Sequence, residues 1–428
     1  MTTAAENELL TRIGPGTRMG ALLRRYWQPV AAVDEMKGIW TKRVRILGED
    51  LVLYRSRRND YGLIGEFCPH RRASLAYGIP TQDGIRCMYH GWEFNQRGEC
   101  IDQPNEGRHA LRGKNISPAY PVKELGGLLF AYLGPAPAPE LPRFDAFVIE
   151  GAVRAIGKAV IPCNWLQIME NSVDPVHTQW LHGALFEFLN EGKGLKTVIS
   201  RKQSKAGFDE FEFGIIKRRM FADQTEASDD WKVGHPLLFP NALAVGSGGG
   251  AWKHHTIQHR VPIDDSHTMH FWYHAYVLPD EAKVPEHLKT QTPPVYEVPY
   301  QNEAGEFLLD YIHAQDIMAW ITQGPIADRT QENLGASDQG IVLLRRMLKR
   351  EAERVERGED PLGTIRDPAR NTVIELPMEK NKSNHGDGFE AYFTRHNTLF
   401  APFAKEVLEA MRTLERRRTP KAETELSA

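Results

Sequence analysis

Two short cysteine–histidine pairs stand out among the residues whose types and spacing could do chemistry. Cys68 is followed by His70, and Cys87 is followed by His90, with sixteen residues between the two pairs. Thiolates and imidazoles are ligands that proteins offer to transition metals. Because each pair lies beside short β-type runs, two adjacent loops can bring all four side chains to one place. The spacing therefore predicts a metal site, which a chance pairing of buried cysteines with core histidines explains poorly.

The way the ligands are paired bears on which metal they bind. Zinc fingers usually pair cysteine with cysteine and histidine with histidine, yet a Cys2His2 zinc site remains the serious rival. Mixed pairs suit an iron–sulfur centre in which two thiolates hold one iron and two imidazoles hold the other. The other two cysteines, Cys100 and Cys163, have no such histidine partners, so we expect them in the core. Four cysteines are also too few for a disulfide scaffold in a chain of 428 residues.

A second candidate site lies in a segment predicted to be helical over about residues 164–192. It contains Asp174, His177 and His182. Positions five apart on a regular α-helix are separated by about 140° around the axis, which is too far for two side chains to share one ion comfortably. Either a π-bulge distorts the helix, or the helix ends at Gly183 and turns His182 inward. The spacing alone leaves metal ligation and a structural role both open.

Taken together, the two motifs resemble a known family. The stretch "CPHRRASLAYG…RCMYHGWEFNQRGEC", with Gly-Trp after the second histidine, is similar to the Rieske motif. The second segment is similar to the Glu-Asn…Asp-x2-His-x4–5-His pattern in the α-subunits of Rieske non-haem iron oxygenases. The matching residues are Glu170, Asn171, Asp174, His177 and His182. The similarity covers nearly the whole chain and has both motifs in the right order.

This resemblance implies two iron centres. The four cysteine and histidine ligands would hold a Rieske [2Fe–2S] cluster, with the thiolates on one iron and the imidazoles on the other. His177 and His182 would be two members of a facial triad that holds Fe(II) and leaves positions open for O2. The cluster would supply electrons to that iron one at a time.

The third member of the triad should be an aspartate far along the chain. We expect Asp338, because "DRTQENLGASDQGIVLLRRML" is similar to the corresponding segment of the phthalate-dioxygenase-like and aryl O-demethylase branch of the family. Asp338 could also cap the helix that follows, and capping and ligation can both hold. Asp316 and Asp328 are the alternatives.

Asp174 is expected to have a catalytic role between the two centres. Family members are usually trimers in which the cluster of one subunit faces the mononuclear iron of the next. The resemblance implies that Asp174 bridges the two by accepting hydrogen bonds from a histidine of each site. An N-cap before Pro175 is the simpler reading. The electrons should come from NAD(P)H through a separate ferredoxin, flavin reductase or both, because the chain has no Gly-x-Gly-x-x-Gly nucleotide fingerprint.

The elements that must position these residues indicate an α+β protein. An N-terminal arm (1–40) precedes an antiparallel β domain with the Rieske cluster (41–145), which ends in a proline-rich linker. A catalytic α+β domain (146–420), with an antiparallel sheet and helices that carry the mononuclear iron, follows. We expect a flexible tail at 421–428. Helical spacing predicts one long helix, marked by Ile341, Leu344, Leu348 and Ala352.

Composition and charge limit the class of protein. The chain is 41% hydrophobic and 25% charged, as in globular proteins, and its net charge of −3 shows no overall basic field for nucleic acid or an anionic membrane. No apolar run is long enough to span a bilayer, and the first residues do not resemble a signal peptide. We therefore expect a cytoplasmic protein with neither nucleic acid nor membrane as a partner.

The substrate is the least determined feature. The branch of the family that the chain resembles oxidises aromatic acids, and the stretches "ENELLTRIGPGTRMGALLRRYWQPV" and "LGASDQGI" look most like lignin-derived biaryl O-demethylases. We expect O-demethylation of a methoxylated aromatic acid, with cis-dihydroxylation of a phthalate-like carboxylate as the alternative. The candidates for binding the carboxylate are Arg218, Arg219 and His255, with Lys217 and His254 beside them.

Two readings from other classes explain less of the sequence. A zinc-binding structural protein would account for the two Cys–His pairs but leave His177 and His182 without a purpose. A ferredoxin-like electron carrier would account for the cluster alone. Metal content and O2 uptake distinguish both from an oxygenase.

Overall fold

The computed structural model describes most of the chain. The predicted tail at 421–428 lies outside the described residues. Within the described part, no helix combines the length and the apolar character that crossing a bilayer requires. The described ranges are 2–107, 111–195, 200–248, 252–377 and 388–418.

The N-terminal arm forms two short helices, α1 (Ala4–Thr11) and α2 (Arg18–Leu23). A capping box at Thr3 starts α1, and the break between the helices falls at the predicted Gly-Pro-Gly. The arm contacts a distant part of the chain, since the Asn7 side chain donates to the carbonyl oxygen of Ala327 over 3.1 Å. Side-chain contacts therefore tie the arm to the catalytic part of the chain.

Short strands build the N-terminal β region. In the described residues they form a sheet β2-β3-β4-β9, a sheet β5-β6-β7-β8 and a sheet β1-β11-β10, all with antiparallel pairing. The β5–β8 sheet is the one that carries the second Cys–His loop. The strands are β1 (Trp27–Ala32), β2 (Thr41–Ile46), β3 (Glu49–Arg55), β4 (Tyr61–Gly65), β5 (Ile79–Pro80), β6 (Gly84–Arg86), β7 (Glu93–Asn95), β8 (Cys100–Asp102), β9 (Ala119–Tyr120), β10 (Val122–Leu125) and β11 (Leu128–Tyr132).

A large twisted sheet organises the second half of the described chain, with strand order β13-β14-β15-β16-β17-β18-β12-β19. Neighbouring strands are antiparallel, as expected, except for β12 and the short edge strand β19, which pair in parallel. The strands are β12 (Val153–Ile161), β13 (Gln203–Phe211), β14 (Gly214–Phe221), β15 (His235–Leu238), β16 (Ala242–Gly248), β17 (Lys253–Asp264), β18 (His267–Val277) and β19 (Val295–Glu297).

The two faces of this sheet have different neighbours because side chains alternate along each strand. On one face of β17, His259 packs against Phe130 and Phe147. On the other face, Thr256, Gln258 and Arg260 face a cavity that the helices close. The helices of this half are α3 (Asp145–Val148), α4 (Trp165–Val173), α5 (His177–Gln179), α6 (Leu185–Gly192), α7 (Asp229–Lys232), α8 (His287–Thr290), α9 (Ile312–Ile321), α10 (Gln339–Glu356), α11 (Phe389–Thr394) and α12 (Ala404–Arg418).

The fold class expected from the sequence is confirmed: a β region with the Rieske loops precedes an α+β region. The predicted long helix is α10, and Leu344, Leu348 and Ala352 are buried on it. The domain boundaries stay a prediction. Strand β1 starts inside the predicted arm and pairs with β11, so this part of the arm belongs to a sheet.

A buried ion network anchors α4, the helix that leads into the second motif. Glu170 accepts hydrogen bonds from Arg329 at 2.7 Å and from Arg345 at 2.6 Å, and all three side chains are buried. Burial opposes the charged carboxylate, but the two arginines outweigh it and hold the pKa of Glu170 below its ordinary value. The network joins α4 to α10 and to the loop before it.

We expect Glu170→Gln to lower the free energy of unfolding by about 3–5 kcal/mol, because it leaves the buried guanidinium of Arg329 without the carboxylate it pairs with and leaves Arg345 with Glu332 alone. Urea denaturation followed by circular dichroism measures this loss. The matched control is Glu210→Gln, which removes a partly exposed pair with Arg350 and should cost less than about 1 kcal/mol. Equal losses in both variants would contradict a stabilising role for the network. Because the pKa of Glu170 is depressed in the folded state, its contribution is present above the ordinary pKa and lost as the pH falls through the folded value.

Candidate functional site

The two Cys–His pairs lie on loops with the same backbone hydrogen bonding. The carbonyl oxygen of each cysteine accepts from the amide four residues on, at Arg72 in the first loop and Gly91 in the second. Both of those residues have positive φ, 61° and 77°. The amide of each cysteine donates back across its loop, closing a tight turn. Two equivalent turns on neighbouring strands therefore present two equivalent ligand pairs.

The side chains on these loops face one another. Cys68 and Cys87 are buried, and the rings of His70 and His90 have centroids 4.5 Å apart. His70 stacks on Trp92 at 4.6 Å with ring planes only 6° apart, which fixes the imidazole. In the described structure, Nδ1 of His90 is buried without a hydrogen-bond partner, as expected of an atom that is a metal ligand.

The distances argue against zinc at these loops. Ligand atoms around a tetrahedral zinc ion lie about 3–4 Å from one another, given metal–ligand distances of about 2.0–2.3 Å. Among the described residues, the set with three donor atoms within 4.8 Å of one another is elsewhere in the chain, and no three of these four ligands meet that limit. A larger group with two metal atoms fits the spread of the ligands, and a [2Fe–2S] cluster has that form.

A π-helical turn, Trp180–Ala184, brings the two histidines of the second motif together. A π-helical turn has one more residue than an α-helical turn, and it is one of the two helix distortions that the spacing of the histidines predicted. It lets His182 face the same way as His177, and their ring centroids are 5.2 Å apart. Gly183 permits the turn to pack closely, because a Cβ there would lie 2.8 Å from the Cα of Ser200. The helix distortion is therefore what makes a shared ion possible.

The third acidic side chain at this place is Asp316, on α9. Its Oδ1 lies 3.1 Å from Nε2 of His182 and 3.8 Å from Nε2 of His177. The Oδ1 atom is buried and makes no aligned hydrogen bond, so the three donor atoms point toward one another without satisfying one another. Two imidazoles and a carboxylate on one side of an ion are the donor set of non-haem Fe(II) oxygenases. The residues present fit a mononuclear iron.

The ring nitrogens that point away from this cluster are also held. Nδ1 of His177 lies 3.3 Å from Oδ2 of Asp174, and Nδ1 of His182 lies 2.9 Å from Oε1 of Gln315. Such contacts fix the tautomer and the orientation of a metal-binding imidazole. Asp174 also accepts backbone hydrogen bonds from Val176 at 2.7 Å and from His177 at 3.2 Å, so it caps the turn and orients the ring at once.

Electrostatics suit a cation at this place. Burial opposes ionisation of Asp316, but His182 and His177 outweigh it and hold the pKa of this carboxyl below its ordinary value. Burial lowers the pKa of His177, which favours the neutral imidazole that binds metal. Asp316 and Gln315 overcome the burial of His182 and raise the pKa of that ring.

The expectation that Asp338 completes the triad is corrected by this geometry. Asp338 stands where α10 begins, and its Oδ2 accepts from the amide of Gly335 over 2.6 Å. Asp338 occupies the N-cap position of α10, but its side chain makes no capping hydrogen bond to that helix and instead closes the short turn that begins at Gly335. Asp328, one of the two alternatives, is exposed and accepts hydrogen bonds from Thr330. Asp316, the other alternative, is the one that joins the histidines.

A cavity of about 280 Å³ opens beside this cluster. Its cationic lining residues outnumber its acidic ones, and among the described lining residues Asp316 is the one acid. The cationic residues of the wall are Arg201, Lys217, Arg219, Arg260 and Arg395.

Only some of the residues predicted to bind the substrate line the cavity. Arg219 and Lys217 line the cavity. Arg218 points to the other side of β14, where it pairs with Asp209 at 2.6 Å. His255 lies on the opposite face of β17 and pairs with Asp145 at 3.2 Å. His254 is buried behind the cavity, with Nδ1 2.7 Å from the hydroxyl of Tyr392. Arg218 and His255 are therefore not placed to contact a molecule in the cavity.

Sequence reasoning missed Gln315 and Arg260 and ranked Asp316 too low. The sequence signal for Gln315 and Asp316 was local, because both are polar residues inside the largely apolar helix "IHAQDIMAWI". A carboxylate and an amide on the buried side of a helix need partners, which marks them as site residues. No comparable signal marked Arg260, which follows Gln258 and His259 in the polar part of its strand.

Comparisons with known proteins identify the family of the chain. The family model described as the Rieske [2Fe-2S] domain matches residues 26–122, and the one described as LigXa C-terminal domain like matches residues 300–377. The oxygenase subunit of 5,5'-dehydrodivanillate O-demethylase from Sphingobium sp. is 42% identical over 381 residues, covering 88% of this chain and 87% of that protein. The oxygenase subunit of phthalate 4,5-dioxygenase from Pseudomonas putida is 30% identical, covering 85% and 89%.

Solved structures share the architecture. The terminal oxygenase of carbazole 1,9a-dioxygenase from Novosphingobium sp. KA1 superposes with a TM-score of 0.56 at 21% identity, covering 80% of this chain and 97% of that one. At that identity the likeness concerns the fold alone.

Proposed function

Because this chain belongs to the Rieske non-haem iron oxygenases, we propose that it removes a methyl group from a methoxylated, lignin-derived biaryl aromatic acid. The chain is the oxygenase component of a multicomponent system. It uses a Rieske [2Fe–2S] cluster and a mononuclear Fe(II), with electrons that come from NAD(P)H through a separate reductase. Family membership fixes the class of enzyme, and the proposal concerns its substrate and its reaction.

One observation carries the choice of reaction. The relative that acts on 5,5'-dehydrodivanillate is 42% identical over 88% of this chain, whereas the phthalate 4,5-dioxygenase relative is 30% identical. The cavity supports an acid as substrate, because the described residues of its wall include several cations and one carboxylate, that of Asp316. An anionic aromatic molecule would offset that excess of positive charge.

The residues of the site have separable tasks in this reaction. When bound, the mononuclear iron supplies oxygen activation, and the cluster supplies the electrons singly. His177, His182 and Asp316 would hold that ion from one side, which leaves the side toward the cavity open to substrate. Asp174 and Gln315 keep the two imidazoles turned toward the ion.

The overall conversion balances as an oxidative demethylation. One atom of O2 is inserted into a C–H bond of the methoxy group, and the other leaves as water with the two electrons and two protons supplied. The resulting hemiacetal then breaks its C–O bond to the methyl carbon and yields a phenol and formaldehyde. The walls of the cavity must therefore present a methoxy group to the iron, and the acid group to a cation.

Cis-dihydroxylation of a phthalate-like carboxylate is the second candidate. The phthalate 4,5-dioxygenase relative and the cationic cavity wall both favour it. In this reaction both oxygen atoms enter the ring, so no formaldehyde forms. The two candidates differ in whether a methyl group or a ring edge points at the iron.

Product analysis distinguishes these reactions. We expect the protein, with a reductase, NADH and O2, to release one formaldehyde for each 5,5'-dehydrodivanillate consumed, and to give a dihydrodiol from neither this acid nor phthalate. Formaldehyde is measured by derivatisation, and the aromatic product by mass spectrometry. A dihydrodiol from phthalate, with no formaldehyde from the methoxylated acid, would replace the proposal by its alternative.

The proposal extends to partners and assembly. We propose a homotrimer in which the cluster of one subunit faces the iron site of the next, with Asp174 between them. Exposed apolar side chains beside both sites support such a contact, notably Met88 and Tyr89 on a cluster loop and Trp180 on the π-turn. A ferredoxin, a flavin reductase or both would deliver the electrons. A cytoplasmic location is part of the same proposal, because the reductase draws on NAD(P)H.

A further inference from the structure

Arg260 is a buried cation in the wall of the cavity. It lies on β17, where Thr256, Gln258 and Arg260 alternate onto the face that lines the cavity. Only 1% of Arg260 is exposed. Strands pair with β17 on both sides, so the backbone at this position is fixed. The guanidinium is therefore held in place at the wall of the cavity that contains the iron site.

The hydrogen bonds of Arg260 are all to neutral acceptors. Its Nη1 donates to the carbonyl oxygen of Gln258 at 2.7 Å, and its Nη2 donates to Oε1 of the same residue at 2.9 Å. Its Nε is buried and has no hydrogen-bond partner in the described structure. No carboxylate of the described residues forms an ion pair with it. Three of its five N–H donors therefore remain for something else.

Other buried arginines of the chain show what a structural role looks like. Arg329 and Arg345 are also buried, and both donate to the carboxylate of Glu170. A buried charge costs several kcal/mol unless it is paired, so such pairing is the normal arrangement. The acid whose charge acts on Arg260 is Asp316, and that carboxylate is taken up by the iron site. Burial accordingly lowers the pKa of Arg260 to about 9.

Three other cations of the wall, Lys217, Arg219 and Arg201, are engaged with the protein. Lys217 donates to the carbonyl oxygen of Ser172 at 2.7 Å, and Arg219 lies 3.6 Å from the carboxylate of Asp230. Arg201 pairs with Asp223. Arg260 thus differs from these three in that no described residue forms an ion pair with it.

We propose that Arg260 is the residue that binds the carboxylate of the substrate, and so selects aromatic acids over their neutral analogues. The inference rests on the proposed function for the substrate class and adds the residue that recognises it. The acid supplies the missing negative charge and accepts from the free N–H donors, in a charge-assisted hydrogen bond. Gln258 positions the guanidinium for this contact through its two hydrogen bonds.

Binding without turnover tests the proposal. The variants are Arg260→Gln, Arg260→Lys and the matched control Arg218→Gln, which changes an arginine of the same sheet that points away from the cavity. The iron-loaded, oxidised protein is titrated calorimetrically with 5,5'-dehydrodivanillate, with its dimethyl ester and with phthalate. Thermal unfolding of each ligand-free protein is followed in parallel.

We expect Arg260→Gln to weaken the binding of the acid at least about 30-fold, and that of the ester less than about 3-fold. Arg260→Lys should lie between, because it keeps the charge and loses the fork of donors. The ligand-free Arg260→Gln protein should melt at the same temperature or higher, since an unpaired buried charge is removed. Arg218→Gln should bind like the wild type.

Two results would overturn the assignment. Equal weakening for acid and ester, with a lower melting temperature, would make Arg260 a structural residue, and unchanged acid binding would make it irrelevant to recognition. A failure of the proposed function looks different: the wild type would then bind phthalate but not 5,5'-dehydrodivanillate, and Arg260→Gln would still lose the phthalate. Binding of neither acid by the wild type would overturn both.

Discussion

Asp316→Asn is expected to remove the mononuclear iron and reduce turnover at least about 1,000-fold, while the cluster stays intact. Among the described residues, Asp316 supplies the carboxylate oxygen that lies close to both His177 and His182. An amide at this position provides no negative charge, so two neutral imidazoles would have to hold the ion. Iron analysis of anaerobically prepared protein should fall from about three to about two irons per chain, with the visible spectrum of the cluster unchanged.

The control for this variant is Asp338→Asn. Asp338 closes the turn before α10 through its bond to the amide of Gly335, so its replacement should cost about 1 kcal/mol of stability at most and leave iron content and turnover as they were. If Asp338→Asn lost the third iron and Asp316→Asn retained it, Asp338 would be the third iron ligand, as the sequence predicted. The two variants thus decide between the candidates with one assay.

Asp174→Asn is expected to keep all three irons yet slow product formation about 100-fold. The carboxylate lies 3.3 Å from Nδ1 of His177 and is partly exposed, so it can contact this histidine on one side and a neighbouring subunit on the other. An asparagine preserves the shape but not the charge. Stopped-flow oxidation of the prereduced cluster in a single turnover isolates the electron transfer step, where the loss should appear.

Normal cluster oxidation in Asp174→Asn would show that Asp174 is not needed for electron transfer between the two centres. Loss of iron in the same variant would instead assign Asp174 to holding the ligand in place. Thr178→Ala is a matched control on the same turn, because its hydroxyl donates to the carbonyl oxygen of Pro175 and contacts neither histidine. It should leave electron transfer unchanged.

Assemblies that contain two different variant subunits test whether electrons pass between subunits of the proposed trimer. An Asp316→Asn subunit keeps its cluster but lacks iron, and a Cys68→Ser subunit should lack the cluster but keep its iron. Coexpressed, they should recover part of the activity that each lacks alone, because a cluster and an iron from different subunits then face each other. No recovery in assemblies shown to contain both subunits would place electron transfer within one chain.

Local sequence was sufficient to single out the candidate cluster ligands. Cys68 and His70, like Cys87 and His90, are close in the chain, and a tight turn of a few residues places each pair. Such turns depend on short-range backbone bonds and on residues that accept positive φ, such as Gly91. For the same reason, the spacing of His177 and His182 already required the π-turn or helix end that would let them meet.

The third iron ligand could not be chosen in the same way. Asp316 and Asp338 both precede or occupy helices, and both lie more than 130 residues beyond His182. What separates them is that the buried side of α9 packs on α4, with Gln167 of α4 donating to the carbonyl oxygen of Trp320, whereas Asp338 ends at the entrance to α10. Packing between distant elements is decided by the whole core, so no short motif encodes it.

The amino-acid sequence by itself determined the two metal-binding motifs, the α+β organisation and the class of chemistry. Only the tertiary structure decided that Asp316 meets the two histidines, that Arg218 and His255 face away from the cavity, and that Arg260 lines it with no ion pair to a described residue. The physical reason is the same in each case. Ligand type and short spacing are local properties of the chain, whereas the direction of a side chain and the charge around it depend on the register of the sheet and on which helices cover it.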